Sequence, residues 1–209
     1  MYISELKEKA RNDLKKKHKE ELLIVLFNLF IHCFSSFLLS KLTHLLEISK
    51  ITALIFECIS SLLVSSIFSY GITSYYLKLS RCEKVEFKEI FSKSNLAFSY
   101  IFISIVTGIF VFLWSFLLII PGFIAIIDYS LIHYIKLDNP FLDEFELVKK
   151  SKKMMNGHKL DYLKLVFSFL GWFILGIFTF GILYLWLIPY VNATMANFYN
   201  QIKYEEITF

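Results

Sequence analysis

The sequence predicts an all-α, polytopic helical membrane protein with about six transmembrane helices, and three observations carry that expectation. Four apolar stretches, residues 22–39, 51–77, 96–119 and 163–188, each reach the roughly 18 to 20 residues that a helix needs to cross a bilayer core. None has a basic side chain in its interior. The composition, 56% hydrophobic over 209 residues, exceeds the roughly 45 to 50% usual for a soluble domain. Basic residues, finally, gather in a few segments between the apolar ones. In lipid every backbone polar group must be satisfied within its own segment, so stretches this long imply a helical bundle.

Residues 1–21 read as a basic, cytoplasmic leader in which Ile3, Leu6, Ala10 and Leu14 recur at helical spacing, a weak apolar stripe suited to the inner leaflet. The leader is too long for the n-region of a secretory signal, and no small-residue cleavage pattern follows the first span. Residues 22–95 hold the first two spans and a cytoplasmic loop. Along the second span Ser61, Ser65 and Ser69 repeat every four residues, a small-residue stripe where another helix can approach, with Ser36 and Ser40 facing it from the first. In the loop, Phe87, Ile90 and Phe91 form a short amphipathic stretch.

Residues 96–137 read as a helical hairpin. Ile120-Pro121-Gly122 divides a run too long for one crossing, and Pro121 suits a first helical position. The helix after it, Phe123–Ile135, rises only about 20 Å against roughly 30 Å of hydrocarbon. Residues 138–160 predict a cytoplasmic amphipathic helix: Pro140 near its start, Asp143, Glu144 and Glu146 early, Lys149 to Lys153 late, and Asn156-Gly157 as its stop. Phe141, Phe145, Val148 and Met155 make its apolar stripe, expected on the inner leaflet. Residues 161–203 repeat the hairpin, with a turn at Pro189 and a short polar helix carrying Asn192, Thr194, Asn197, Asn200 and Gln201. Residues 204–209 are a cytoplasmic tail. The two hairpins align at an offset of 68: Gly108-Ile109-Phe110 on Gly176-Ile177-Phe178, and Ile120-Pro121 on Ile188-Pro189. That alignment suggests a parallel internal repeat.

Orientation follows from charge. With six spans, Lys41 and Lys50 are the only two of the 22 basic residues on the outer side, so both termini are expected inside a bacterial cell membrane. The net charge of +4 implies no nucleic-acid partner. The expected partner is the lipid bilayer, together with another membrane protein or a second copy. Cys33, Cys58 and Cys82 form no CxxC pair and have no histidine at ligand spacing, so neither a disulfide, nor a metal, nor any other cofactor is expected.

A charge at mid-bilayer costs at least about 2.5 to 3.5 kcal/mol on the insertion scale, which makes Glu57, Asp128, His32 and His133 candidates for function. Asp128 precedes His133 by five residues, some 140° apart around a helix, so the two form no compact dyad. Asp128 is expected to stay protonated or to bond a neighbouring helix. No HExxH, serine elbow, P-loop or paired glutamates with a following arginine is present, and catalysis is not expected. Asn192, Asn197 and Asn200, with Ala193 and Ala196, form a small polar face expected against the companion hairpin or along a hydrated crevice. Val191, Met195, Phe198 and Ile202 form a separate apolar face, expected against lipid or bulky core.

From Ile120 onward the chain is similar to a bacterial integral-membrane family catalogued as domain of unknown function 975, or DUF975. The likeness rests on Ile120-Pro121-Gly122, Asp128-Tyr129-Ser130, Asp138-Asn139-Pro140, Met155-Asn156-Gly157-His158-Lys159, Gly171-Trp172, and Leu185-Trp186 through Pro189-Tyr190 to Phe198-Tyr199. The resemblance implies that Asp138-Asn139-Pro140 and Gly157-His158-Lys159 belong to a family signature on the cytoplasmic face. It implies no catalytic residue. Two functions are expected from the sequence. The first is a non-catalytic envelope component, protecting the cell from membrane-active peptides or assisting an export system. The alternative is a small permease with a path between the two C-terminal hairpins, past Asp128 and the asparagine row.

Overall fold

The computed structural model describes residues 3–15, 18–91, 97–117 and 119–208, and the regular structure among them is helical. Among the described residues, nine α-helices follow in chain order: α1 (Ile3–Lys15), α2 (His18–Leu45), α3 (Lys50–Ser80), α4 (Ala97–Leu117), α5 (Ile119–Tyr129), α6 (Ile132–Asp138), α7 (Glu144–Met155), α8 (Lys159–Phe178) and α9 (Tyr184–Thr208). A 3-10 turn, Phe87–Phe91, follows α3. Lys16, Lys17 and Lys93 of the expected charge pattern, and Leu118 between α4 and α5, lie outside the described residues.

Three helical segments among the described residues are long and apolar enough to cross a membrane: Lys19–Leu45, Lys50–Ser80 and Lys159–Phe178, with Ser99–Leu113 a shorter apolar one. The remaining two expected spans take other forms. Phe123–Ile135 is shared between α5 and α6, broken at Ser130-Leu131, and the 11 residues of α5 rise only about 16 Å. Tyr190–Ile202 is the middle of α9, with Ala193, Ala196, Asn197, Phe198 and Tyr199 all buried in protein.

The helices pair as three hairpins. Antiparallel pairing of α2 with α3 is marked by the Tyr75 hydroxyl donating to Glu20 at one level and by Ser36 donating to Glu57 further along. Their turn, Leu46–Ser49, ends in a cap: Ser49 Oγ accepts the Thr52 N–H at 3.4 Å and so satisfies one of the free donors at the start of α3. At the other end Cys82 adopts φ +59° and the Glu83 N–H reaches the Lys78 carbonyl at 3.0 Å, which stops α3. Helices α4 and α5 form the second hairpin, and Pro121 falls in the first turn of α5, where its missing N–H leaves no bond unmade.

The third hairpin corrects the sequence. Its turn is at Thr179–Leu183, where Phe180 and Gly181 take φ +51° and +86° and the Gly181 N–H returns to the Gly176 carbonyl at 3.0 Å. Pro189 lies inside α9, not at the turn. The left-handed pair has already reversed the chain before Pro189, which is the sixth residue of α9 and leaves the Leu185 carbonyl without its helical donor. A side chain at 176 would collide with the Tyr184 ring, 2.5 Å from an added Cβ, so Gly176 is what brings α8 and α9 together at this end. The offset of 68 therefore aligns Pro121 near a turn with Pro189 well past one, and the expected repeat register does not hold at the turns.

Two amphipathic stripes also meet protein, not lipid. Leu6, Ala10 and Leu14 of α1 are buried, packed into the core chiefly against α9. Helix α7 begins at Glu144 behind Asp143, so Pro140 belongs to the preceding turn, and its buried face is Leu147, Ser151, Met154 and Met155. Phe141 and Phe145 remain exposed while Met155 is fully buried, so the expected single stripe divides. The 3-10 turn presses on α3 at Gly71, where an added Cβ would lie 2.2 Å from the Ile90 carbonyl oxygen. Phe87 and Phe91 there pack edge-on against Phe27.

Burial is divided unevenly along the hairpins. The core gathers Tyr75, Tyr76, Leu77 and Leu79, Leu131, Ile132, Tyr134 and Ile135, Leu147, Met155, and Ala193, Ala196, Phe198, Tyr199 and Ile202, near the ends of the hairpins away from their turns. Toward the turns, Phe30, Phe34, Phe37, Ile51, Leu54, Ile109, Phe112, Ile177 and Phe180 stand exposed. Water rarely meets apolar surface this continuous, whereas lipid does.

Candidate functional site

The best-organised polar cluster lies where α3, α6 and α9 end or pass one another. Asp138 is the last residue of α6, and Arg81 caps α3. Arg81 Nη1 and Nη2 donate to the two Asp138 oxygens at 2.8 and 2.7 Å, a bidentate pair. Tyr199 Oη and Lys203 Nζ, four residues apart on α9 and hence on one face, donate to Asp138 Oδ2 at 2.8 and 2.6 Å. Arg81 Nε donates to Asn200 Oδ1 at 3.1 Å, and Asn200 Nδ2 donates to Ser80 Oγ at 2.7 Å. Burial alone would raise the Asp138 carboxyl, but hydrogen bonds from Arg81, Lys203 and Tyr199 outweigh it and bring its pKa down to about 2. The same pairing raises Arg81 above its ordinary value. Asp138 is thus held ionised, with three donors on Oδ2 and one on Oδ1, an arrangement that ties three helices together.

A second cluster joins α5, α7 and α8. Asp128 lies 2.6 Å from Lys159 Nζ at the start of α8, and Ser151 Oγ of α7 donates to the Asp128 carbonyl at 2.6 Å. Of the two expectations for Asp128, the geometry corresponds to the bond with a neighbouring helix, since its partner Lys159 begins α8. His133 lies in the next helix, where the Tyr100 hydroxyl donates to its carbonyl at 2.6 Å. A third contact joins α9 to α1, Asn197 Nδ2 donating to Asp13 Oδ2 at 3.1 Å.

The structure therefore brings some sequence candidates together and separates others. Asp138 and Asn200 are joined through Arg81, and Asp128 meets Lys159. Asn192 is half-buried and makes no side-chain hydrogen bond among the described residues. Asn139 caps α6, its Nδ2 donating to the Ile135 carbonyl at 3.1 Å, and Pro140 follows it into the turn. Gly157, at φ +90°, ends α7, and His158 approaches Glu205 at 3.5 Å. Trp172, Pro189 and Tyr190 line a crevice beside α1. Phe198 and Ile202, expected to face apart from the asparagines, are as buried as Asn197, so this part of α9 is enclosed on both faces. Sequence reasoning missed Ser80, Arg81 and Lys203 as site residues. Arg81 had one visible signal, being one of only two arginines, the residue suited to bidentate recognition of a carboxylate.

A family model described as a protein of unknown function (DUF975) matches residues 1–132 and 105–206. The match thus reaches the N-terminal part as well as the region from Ile120 onward. No curated protein and no solved structure matches the chain.

Proposed function

The chain belongs to the DUF975 family, whose function is unknown, and from that premise we propose that it is a non-catalytic, multi-pass component of a bacterial cell membrane with both termini in the cytoplasm. Three apolar hairpins enter the bilayer from one side, and the ionic clusters around Asp138 and Asp128 lock their bases into one polar module at the inner face. The observation that carries this reading is the uneven burial: the packed core lies at the charged ends, and most of the large exposed apolar side chains lie along the hairpins away from it, with Phe141, Phe145 and Leu160 exposed at the bases. The module's role is structural support for an envelope activity, either self-protection from membrane-active peptides or service to an export system.

The permease alternative drew its support from the asparagine row. Asn197 and Asn200 are 2% and 5% exposed, and both are engaged by side chains, Asp13 for the first and Arg81 with Ser80 for the second. That packing favours the non-transporting reading. Deletion of the gene should lower the minimal inhibitory concentration of cationic antimicrobial peptides or reduce secretion, and the wild-type gene should restore it. Solute flux through purified protein in liposomes, blocked by Asn197→Leu, would replace this proposal with the permease.

A further inference from the structure

A crevice of about 470 Å³ opens where the end of α1 and the start of α2 meet α8, the third turn and the start of α9. One rim is cationic, formed by Arg11, Lys15 and Lys19. The opposite wall is aromatic and aliphatic, with Trp172, Trp186 and Pro189. We propose that this crevice binds one anionic phospholipid, its phosphate against the three cations and an acyl chain along the tryptophan wall.

Charge complementarity selects the occupant. All three cations are exposed, and among the described residues Arg11 and Lys19 make no hydrogen bond or ion pair, while Lys15 has only a long contact of 3.4 Å with Asn12. Among the described residues that line the crevice the one carboxylate is Glu21, which is 3% exposed, so the three exposed cations dominate the charge at the opening. The apolar wall selects a lipid over a free anion. Trp172 and Trp186 are about half exposed and continue into the exposed apolar surface of Leu22 and Phe173, so a chain can enter sideways from the bilayer. Tryptophan beside lysine and arginine is the composition of the headgroup level, where the two halves of a phospholipid part company. The volume falls in the range of about 300–1,000 Å³ typical of small-molecule sites.

The proposal rests on the membrane reading for its location, and the experiment separates the two. Protein with Trp114→Phe, leaving Trp172 and Trp186 as the fluorophores, is reconstituted into phosphatidylcholine vesicles and recovered by flotation. Failure to float would overturn the membrane reading and this site with it. In floated vesicles, phosphatidylglycerol with brominated chains should quench the tryptophans at roughly one tenth of the concentration that brominated phosphatidylcholine requires. Arg11→Gln, Lys15→Gln and Lys19→Gln together should abolish that preference while quenching by brominated phosphatidylcholine persists, which shows the wall intact. Free glycerol phosphate should leave the preference unchanged. Equal quenching by the two lipids, a preference that survives the triple substitution, or displacement by free glycerol phosphate would each overturn the proposal.

Discussion

Asp138 receives four donated hydrogen bonds, two from Arg81 and one each from Tyr199 and Lys203, so its charge state decides whether three helices stay joined. Its folded pKa of about 2 lies below the ordinary 3.8, so the folded state holds its proton more weakly than the unfolded chain does. The stability this contributes is fully present above pH 3.8 and is lost as the pH falls through about 2. Thermal melts in detergent should show that acid loss in the wild type and a smaller one in Asp138→Asn. At neutral pH Asp138→Ala should destabilise by about 3 kcal/mol, because Arg81 and Lys203 lose the carboxylate that compensates them. Only half of this cluster was legible beforehand. Asp138 and Asn200 could be singled out as a signature residue and a polar residue in an apolar stretch, but Arg81 read only as one more cytoplasmic charge, since its partner lies 57 residues away.

Helix α9 shows what an element's surroundings add to its pattern. Its periodicity separates a small polar face from an apolar one, yet both are buried, because α1, α2 and α3 all pack along it. Asn197→Leu removes the bond to Asp13 and leaves that carboxylate without its donor, a cost of about 1–3 kcal/mol. Met195→Leu, half-buried and similar in volume, should cost less than about 1.5 kcal/mol. Equal melting temperatures for the two variants would refute the difference in packing. At α3, Gly71→Ala forces the 3-10 turn away, since the obstacle is the Ile90 backbone, and should destabilise by about 1–3 kcal/mol. Limited proteolysis in the segment after α3 should speed up with it.

At the scale of the whole molecule, the proposed membrane component has the base of its first hairpin inside the cell and the turn Leu46–Ser49 outside. On a background of Cys33→Ser, Cys58→Ser and Cys82→Ser, a membrane-impermeant thiol reagent added to intact cells should label Glu47→Cys. It should spare Asn12→Cys, Lys84→Cys and Lys150→Cys, and labelling of the last would invert the topology. The depth of the shorter hairpins is a separate matter: α5 is too short to span the hydrocarbon at about 1.5 Å per residue, and the middle of α9 is enclosed by protein.

Hydropathy and charge are local properties of the chain. Alone they determined the helical class, the first two long helices, the break at Pro121, and the polarity of the helix between residues 138 and 160. They also marked Asn197 and Asn200 as polar residues in an apolar stretch, whereas Asp138 stood out only through the family resemblance. The tertiary structure decided which partner each received, because a hydrogen bond such as Arg81 to Asp138 depends on how distant helices pack and not on the spacing along either one. It also decided which apolar faces meet protein: Leu6, Ala10 and Leu14 carry the same stripe whether they face α9 or lipid, and only α9's position settles the choice. The turn at Thr179–Leu183 was likewise hidden, since proline marks where a helix can begin, while the reversal came from two left-handed residues and a glycine against the Tyr184 ring.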